Sequence, residues 1–133
     1  MPLRIKLPSK EKIIINGAVI ENGGEATTII LHNRVDILRR KEVMSEKEAT
    51  SPARRVYYAL QCAYLFDTDR AQYLDLYRGF EQDYMQAAPS AGEILSEIRS
   101  LVAAERYYDA LRKTQELIDH EGERLESVGA ASS

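Results

Sequence analysis

The apolar residues of this chain follow two different patterns, one in each part of the sequence. Residues 3–38 contain short apolar or alternating runs such as Leu-Arg-Ile-Lys-Leu, and several of these are rich in β-branched residues. Asn16-Gly17 separates two of the runs, and this dipeptide is the strongest short-range signal for a β-hairpin. Because each strand would have one face to bury, we expect a small antiparallel meander or barrel. The predicted strands are residues 3–7, 12–15, 18–21, 27–31 and 35–38.

From residue 51 onwards, the apolar residues recur at helical spacing. Ser51 is suited to cap a first helix, with Pro52 at the first helical position. The run that follows is apolar on almost every side, which favours a central helix. Residues 91–119 form either a helical hairpin or one long helix. The sequence therefore predicts an α+β chain, with a β subdomain followed by a bundle of about four helices.

These patterns divide the 133 residues into three parts. We assign residues 1–48 to a β subdomain and residues 49–120 to a helical subdomain. Residues 121–133 contain few apolar side chains and are predicted to be disordered. A chain of this length buries its core with little margin, so a dimer would help to stabilise it.

The sequence contains no signal for a membrane or for secretion. No apolar run approaches the roughly 20 residues that span a bilayer. The N-terminus lacks the apolar segment of a secretory signal, and the one cysteine, Cys62, excludes a disulfide framework within the chain. We therefore predict a cytoplasmic protein that does not associate with membranes.

The sequence contains no recognisable catalytic or metal-binding motif. His32 and His120 are far apart in sequence, and neither has metal-ligand spacing to Cys62 or to a carboxylate cluster. Cys62 lies in an apolar helical run, which is typical of a buried structural thiol. Gly23 and Gly24 belong to a turn, because no Gly-Lys-Ser/Thr motif accompanies them. We predict no enzyme activity, no metal and no cofactor.

Positive charge is concentrated in the first third of the chain, although the net charge is −3. Residues 1–41 have a net charge of +4 and residues 51–133 of −5. This asymmetry is typical of a basic binding end on an acidic body, although it is modest enough to arise by chance. Arginine favours nucleic acid because its planar guanidinium pairs with phosphate or with a guanine edge. The predicted RNA-binding residues are Arg4, Lys6, Arg34, Arg39, Arg40, Lys41, Arg54 and Arg55.

Two groups among these residues have a predicted geometry. If the last strand continues through Lys41, then Arg39 and Lys41 face one side and Arg40 faces the other. Alternatively, the three begin the connection to the helices. Arg54 and Arg55 follow Ser51 at a helix N-terminus, where cations are mildly unfavourable unless an anion binds there. This placement is a small additional sign of a negatively charged ligand.

All eight tyrosines lie in the helical part, between residues 57 and 108. Their helical spacing favours core or interface packing over stacking on bases. A second hypothesis for the function follows, in which the tyrosine-rich helices form a groove for an amphipathic partner helix. The protein then acts as an adaptor or as a secretion-chaperone-like protein, without direct RNA contact. The predicted partner-binding residues are Tyr73, Tyr77, Phe80, Tyr84, Tyr107 and Tyr108.

Four segments in this order resemble the FlbT family of small flagellin-expression regulators. They are NGAVIENG (16–23), LRRKEVM (38–44), SPARRVYYALQCAYL (51–65) and ERYYDALRKTQELI (105–118). The resemblance implies a cytoplasmic protein that binds the 5′ leader of flagellin messenger RNA and alters its translation and decay. It also implies a functional partnership with the regulator FlaF, and flagellin itself is a further possible partner. The family implies no catalytic residue.

Residues 2–45 also resemble the RNA-binding regulator CsrA, in the order of PLRIKL, KIIINGAVI, TTIIL and VDILRRKEVM. CsrA is a strand-exchanged dimer whose RNA surface joins the first strand of one chain to the end of the fifth strand of the other. The resemblance implies a homodimer, with Leu3, Arg4 and Lys6 on the first strand. Arg39 or Arg40 would match the arginine near the end of the fifth. The turns and the strand spacing here differ from that pattern.

Overall fold

The computed structural model describes residues 2–132, without the side chains of Arg40 and of residues 124–132. The chain divides into two compact units, Met1–Val43 and Met44–Ser133, which we call the β unit and the helical unit. The division lies a few residues before the boundary at residue 48 that the sequence predicts. Five short antiparallel strands precede four helices, which confirms the α+β class.

The β unit contains two small sheets. Only β2 and β3 pair as a consecutive hairpin, whereas β1 pairs with β4 and β5 pairs with the far edge of β2, all antiparallel. The sheets therefore combine one predicted hairpin with two pairings between strands distant in sequence. The strands are β1 (Leu3–Leu7), β2 (Lys12–Ile15), β3 (Ala18–Glu21), β4 (Thr27–Leu31) and β5 (Ile37–Arg39).

The turn between β2 and β3 forms where Asn-Gly predicts it. Asn16 has φ 50° and Gly17 has φ 80°, the positive values that a two-residue hairpin turn requires. The Asn16 backbone N–H donates to the Asp36 carbonyl at 2.8 Å, and the Asp36 N–H donates to Asn16 Oδ1 at 3.0 Å. These bonds hold the segment before β5 against the turn and so help to place β5 beside β2.

The two sheets share one apolar core. Ile5 and Leu7 of β1 and Ile13 of β2 are buried together, with half-buried aliphatic residues packed around them. Asn22 supports this core from the loop after β3. Its amide Nδ2 donates to the carbonyls of Leu7 at 3.0 Å and Glu25 at 2.8 Å, which ties two loops to the end of β1.

The helical unit consists of four helices joined by short turns. α1 packs against α2 and α4, and α3 packs against α4, so α1 occupies the central position that its apolar composition predicts. Among the described residues, no helix is both long and apolar enough to cross a membrane. The helices are α1 (Pro52–Leu65), α2 (Arg70–Ala87), α3 (Gly92–Ala103) and α4 (Tyr107–Ser132).

Residues 91–119 form a hairpin and not one long helix. The Arg106 N–H donates to the Leu101 carbonyl at 2.9 Å and the Glu105 N–H donates to the Val102 carbonyl at 3.0 Å, the two bonds of a Schellman motif. Glu105 adopts φ 59°, at the position where glycine is usual. The sequence left both alternatives open because this stop signal carries no glycine.

The last helix is longer than the sequence pattern indicates. α4 continues to Ser132, so residues 121–132 are helical where the composition predicts disorder. Extending a helix costs far less than starting one, because each added residue gains a hydrogen bond without a new nucleus. A polar segment that follows a well-packed helix therefore continues it more readily than it would form a helix alone.

Candidate nucleic-acid interface

β1 separates its basic and apolar side chains between two faces. Ile5 and Leu7 are buried in the core, so Arg4 and Lys6 project from the opposite face and are exposed. In register, Arg4 lies opposite Ile30 and Lys6 opposite Thr28 on β4. We call the outward face formed by these four residues the basic ribbon. Its Ile30 side chain is 46% exposed, so an apolar contact lies beside the two cations.

The basic residues near position 40 do not all lie on a strand. β5 ends at Arg39, and residues 40–42 form a single 3₁₀ turn. The Arg39 N–H donates to Glu42 Oε1 of this turn at 3.2 Å. Of the two alternatives that the sequence leaves open, the structure therefore favours the one in which these residues begin the connection to the helices. Arg34, Arg39 and Lys41 are exposed, and the side chain of Arg40 lies outside the described part of the chain.

None of the described ion pairs involves Arg4, Lys6, Arg34, Arg39 or Lys41. The ion pairs that the structure does describe all lie in the helical unit, for example Arg78 with Asp75 and Arg106 with Asp109. The side chains of Arg4, Lys6, Arg34, Arg39 and Lys41 therefore remain available to an anionic ligand.

Arg54 and Arg55 occupy the predicted position at the start of α1, and both are exposed. However, the anion at this helix N-terminus belongs to the protein itself. Glu121 of α4 is 9% exposed, and its Oε2 accepts from the Ala53 N–H at 2.9 Å. The two arginines consequently give no independent sign of an external anion. Glu121 lies one turn beyond buried Leu117, and a carboxylate in that apolar stripe was a signal that the sequence analysis missed.

The aromatic residues of α2 fall into two groups. Tyr77 and Tyr84 are 1% and 2% exposed, so these two belong to the helical core. The Tyr84 hydroxyl lies 2.9 Å from Nδ1 of His120, whose Nε2 lies 3.1 Å from Ser90 Oγ. Burial, with a smaller contribution from Glu81, raises the pKa of Tyr77. The contact between Tyr84 and His120 links α2 to α4, and burial gives both tyrosines a structural role.

Tyr73 and Phe80 are only half-buried and line a groove between α1 and α2. The groove has a volume of about 400 Å³, and we call it the α1–α2 groove. Burial raises the pKa of Tyr58 in its wall to about 12. Its lining residues are Glu46, Ala49, Arg55, Tyr58, Ala59, Tyr73, Leu76 and Phe80.

Tyr107 and Tyr108 at the start of α4 contact other helices of the same unit. The Arg70 guanidinium lies 4.8 Å from the ring centroid of Tyr107, a cation–π contact. The ring centroids of Tyr108 and Tyr64 are 5.7 Å apart. Both side chains are half-buried, so they join the helices and present only part of their surface to a partner.

The described residues show little that could perform chemistry. They contain no cluster of three or more His, Cys, Asp or Glu side chains suited to a metal ion. Cys62 is buried, and burial raises the pKa of its thiol. A thiol of this kind is a weak nucleophile because its thiolate is disfavoured.

Comparison with known proteins gives a consistent family. Residues 3–125 match the family described as "Flagellar protein FlbT". The "Flagellum biosynthesis repressor protein FlbT" of Caulobacter vibrioides (strain ATCC 19089) is 31% identical over the whole chain and 96% of the relative. The "Probable flagellum biosynthesis repressor protein FlbT" of Rhodopseudomonas palustris (strain TIE-1) is 35% identical over 94% of this chain and 98% of the relative. No solved structure matches the chain.

Proposed function

We propose that this chain, which belongs to the FlbT family, represses flagellum biosynthesis after transcription by binding the 5′ leader of flagellin messenger RNA. Repression follows from the names of its relatives, and the RNA target follows from the family resemblance in the sequence. In this proposal, binding changes the translation and the decay of the messenger. The protein acts in the cytoplasm, where that RNA is found.

The exposed, unpaired cations of the β unit carry this proposal. Arg4 and Lys6 lie on the basic ribbon, Arg34 lies in the loop before β5, and Arg39 and Lys41 lie at the end of β5. None of the five forms a described ion pair. Phosphate contacts by such residues release counterions, so affinity should fall steeply as salt rises. The β unit contains no aromatic residue. Base contacts would therefore use arginine, backbone groups and aliphatic side chains such as Ile30.

A pair of charge reversals tests the interface. The double variant R4E/R39E should bind a flagellin leader RNA at least about tenfold more weakly than the wild type, with a shallower dependence on salt. The matched control R78E/R112E changes the net charge equally on exposed residues of the helical unit. It should bind within about threefold of the wild type. Equal binding by R4E/R39E and the control would exclude the proposed surface.

The α1–α2 groove favours a second function. Its half-buried aromatic side chains and Leu76, which is 47% exposed, could receive the apolar face of a partner helix. FlaF is the partner that the resemblance implies, and flagellin is the second candidate of the adaptor hypothesis. In this alternative the protein is an adaptor, and its effect on messenger RNA is indirect.

A substitution in the groove separates the two functions. L76E should abolish binding to purified FlaF or flagellin if the groove holds an apolar helix face, and should leave RNA binding unchanged. M85E is the control, because Met85 is 39% exposed on the same helix but does not line the groove. Undiminished partner binding by L76E would argue against the adaptor function.

A further inference from the structure

β3 is an edge strand of its sheet, and its apolar side chains include the most exposed one in the β unit. All four of its residues are exposed, and Val19, at 64%, is the most exposed large apolar residue of the described chain. Charged side chains usually protect a sheet edge from pairing with another chain. β3 carries only Glu21, at its end, whereas β1 carries Arg4 and Lys6 and β5 ends in Arg39. β4 is uncharged as well, but two of its residues are half-buried, whereas every residue of β3 is exposed.

The hydrogen-bond pattern identifies which backbone groups of β3 face outward. The Asn22 N–H donates to the Glu11 carbonyl at 3.0 Å, so this pair occupies a hydrogen-bonded position of the β2–β3 ladder. Such positions alternate along an antiparallel pair, so Ile20 bonds to Ile13 of β2, and the backbone groups of Val19 and Glu21 point away from β2. Among the described residues, no other backbone group bonds to this outer edge.

From this geometry we propose that the β3 edge pairs antiparallel with β3 of a second copy of the chain. A two-fold axis midway between Ile20 of one copy and Ile20 of the other places Val19 of each copy opposite Glu21 of the other. Both outward-facing residues of each strand then exchange backbone hydrogen bonds, which gives four bonds in total. The joined sheet has the strand order β5-β2-β3-β3-β2-β5.

The side chains in this register favour a second copy of the chain as the occupant. Ile20, which is 39% exposed, meets Ile20 of the second copy on the face that carries the buried Ile13, so the apolar core continues across the axis. The two Glu21 residues lie diagonally and not directly opposite. Lys12 is the partner of Glu21 in the β2–β3 register, so a positive charge accompanies each carboxylate. The pairing is thus compatible in shape and in charge.

The expected dimer is weak, because a four-residue strand covers less area than a stable interface needs. This dimer differs from the strand-exchanged dimer of CsrA. All five strands keep their partners within their own chain, and only the outer edge of β3 pairs with the second copy. It is also independent of RNA binding. With two copies joined, however, two basic ribbons would belong to one particle and could bind one RNA together.

Cysteine cross-linking tests the register directly. Opposite residues at a non-hydrogen-bonded position have Cα atoms about 4.5 Å apart, which suits a disulfide. In a Cys62→Ala background, Ile20→Cys should give a disulfide-linked dimer at least about tenfold faster than Ile30→Cys. Ile30 is the matched control, because it is 46% exposed on the other sheet. Equal cross-linking of the two variants would overturn the proposal.

Sedimentation equilibrium provides a second measurement that does not depend on introduced cysteines. Between roughly 1 µM and 1 mM, the wild type should show a concentration-dependent monomer–dimer equilibrium. Val19→Lys should weaken it at least about tenfold, and Leu76→Lys in the helical unit should leave it unchanged. A wild type that stays monomeric throughout, or a dimer that Val19→Lys does not weaken, would show that β3 does not pair with itself.

Discussion

Replacing Glu121 by alanine should destabilise the helical unit through the N-terminus of α1. Each backbone N–H in the first turn of α1 has a hydrogen-bond acceptor. Pro52 has no N–H, the Arg54 N–H donates to Ser51 Oγ at 3.3 Å, and the Arg55 N–H donates to the Ser51 carbonyl at 2.9 Å. The Ala53 N–H donates to Glu121 Oε2 at 2.9 Å, and Ala53 is fully buried. Loss of the carboxylate therefore leaves a buried N–H donor without its acceptor.

The magnitude follows from two contributions. A buried donor that loses its acceptor costs about 1–3 kcal/mol, and the loss of a negative charge at a helix N-terminus costs about 0.3–2 kcal/mol. Because these contributions overlap, we expect E121A to lower the free energy of unfolding by about 2–4 kcal/mol. E121Q keeps an acceptor oxygen and should lose about 1 kcal/mol. Small domains have about 5–15 kcal/mol in total, so the effect is measurable.

Urea unfolding followed by circular dichroism at pH 7 measures this difference. Glu123→Ala is the matched control, since Glu123 is exposed on the same helix and should change stability by less than about 0.5 kcal/mol. The slope of the free energy against urea concentration should not change among the variants. If E121A and E123A unfold at the same urea concentration, Glu121 does not stabilise the start of α1 as we infer.

Three further substitutions have definite expectations. Burial raises the pKa of Tyr58 from the ordinary value of 10.0 to about 12, so the stability that its neutral hydroxyl provides is complete below pH 10 and is lost as the pH rises to 12. Between pH 10 and pH 12, the thermal unfolding temperature of Y58F should therefore fall less than that of the wild type. N22A removes the amide that bonds to two loop carbonyls, so it should lower the free energy of opening of the β unit by about 1–3 kcal/mol, as measured by amide hydrogen exchange. The control Asn33→Ala, at an exposed position, should leave that free energy unchanged. The buried Tyr77 hydroxyl has no hydrogen-bond partner among the described residues, so the urea midpoint of Y77F should equal or exceed that of the wild type. If Y77F instead lowers the free energy of unfolding by more than about 1 kcal/mol, the hydroxyl donates to Glu81.

Local signals predicted most of the secondary structure. Asn16-Gly17 predicted the β2–β3 hairpin, and Ser51 with Pro52 predicted the start of α1, because these residue types act on the backbone beside them. The turn at Glu105 could not be predicted in this way. Its left-handed conformation occurs on a residue that gives no local sign of it.

The sequence predicted which residues the candidate interface contains, but not how they are arranged in space. The sequence placed the basic residues in the first third of the chain, and the structure places Arg4 and Lys6 together on one face of β1. The structure also shows that Arg54 and Arg55 do not indicate an external anion, because the Glu121 carboxylate already lies at that helix end. A pairing between residues 53 and 121 depends on how α4 packs on α1, which no local pattern specifies.

By itself, the sequence determined the class of fold, the type of each element and the concentration of positive charge in the β unit. Periodicity and turn residues carry this information because they act over a few neighbouring positions. Only the tertiary structure decided that β1 pairs with β4, and that Tyr77 and Tyr84 are buried while Tyr73 and Phe80 line a groove. The physical reason is that an apolar stripe shows which face of an element avoids water, whereas the element that covers it is decided by packing across the whole chain.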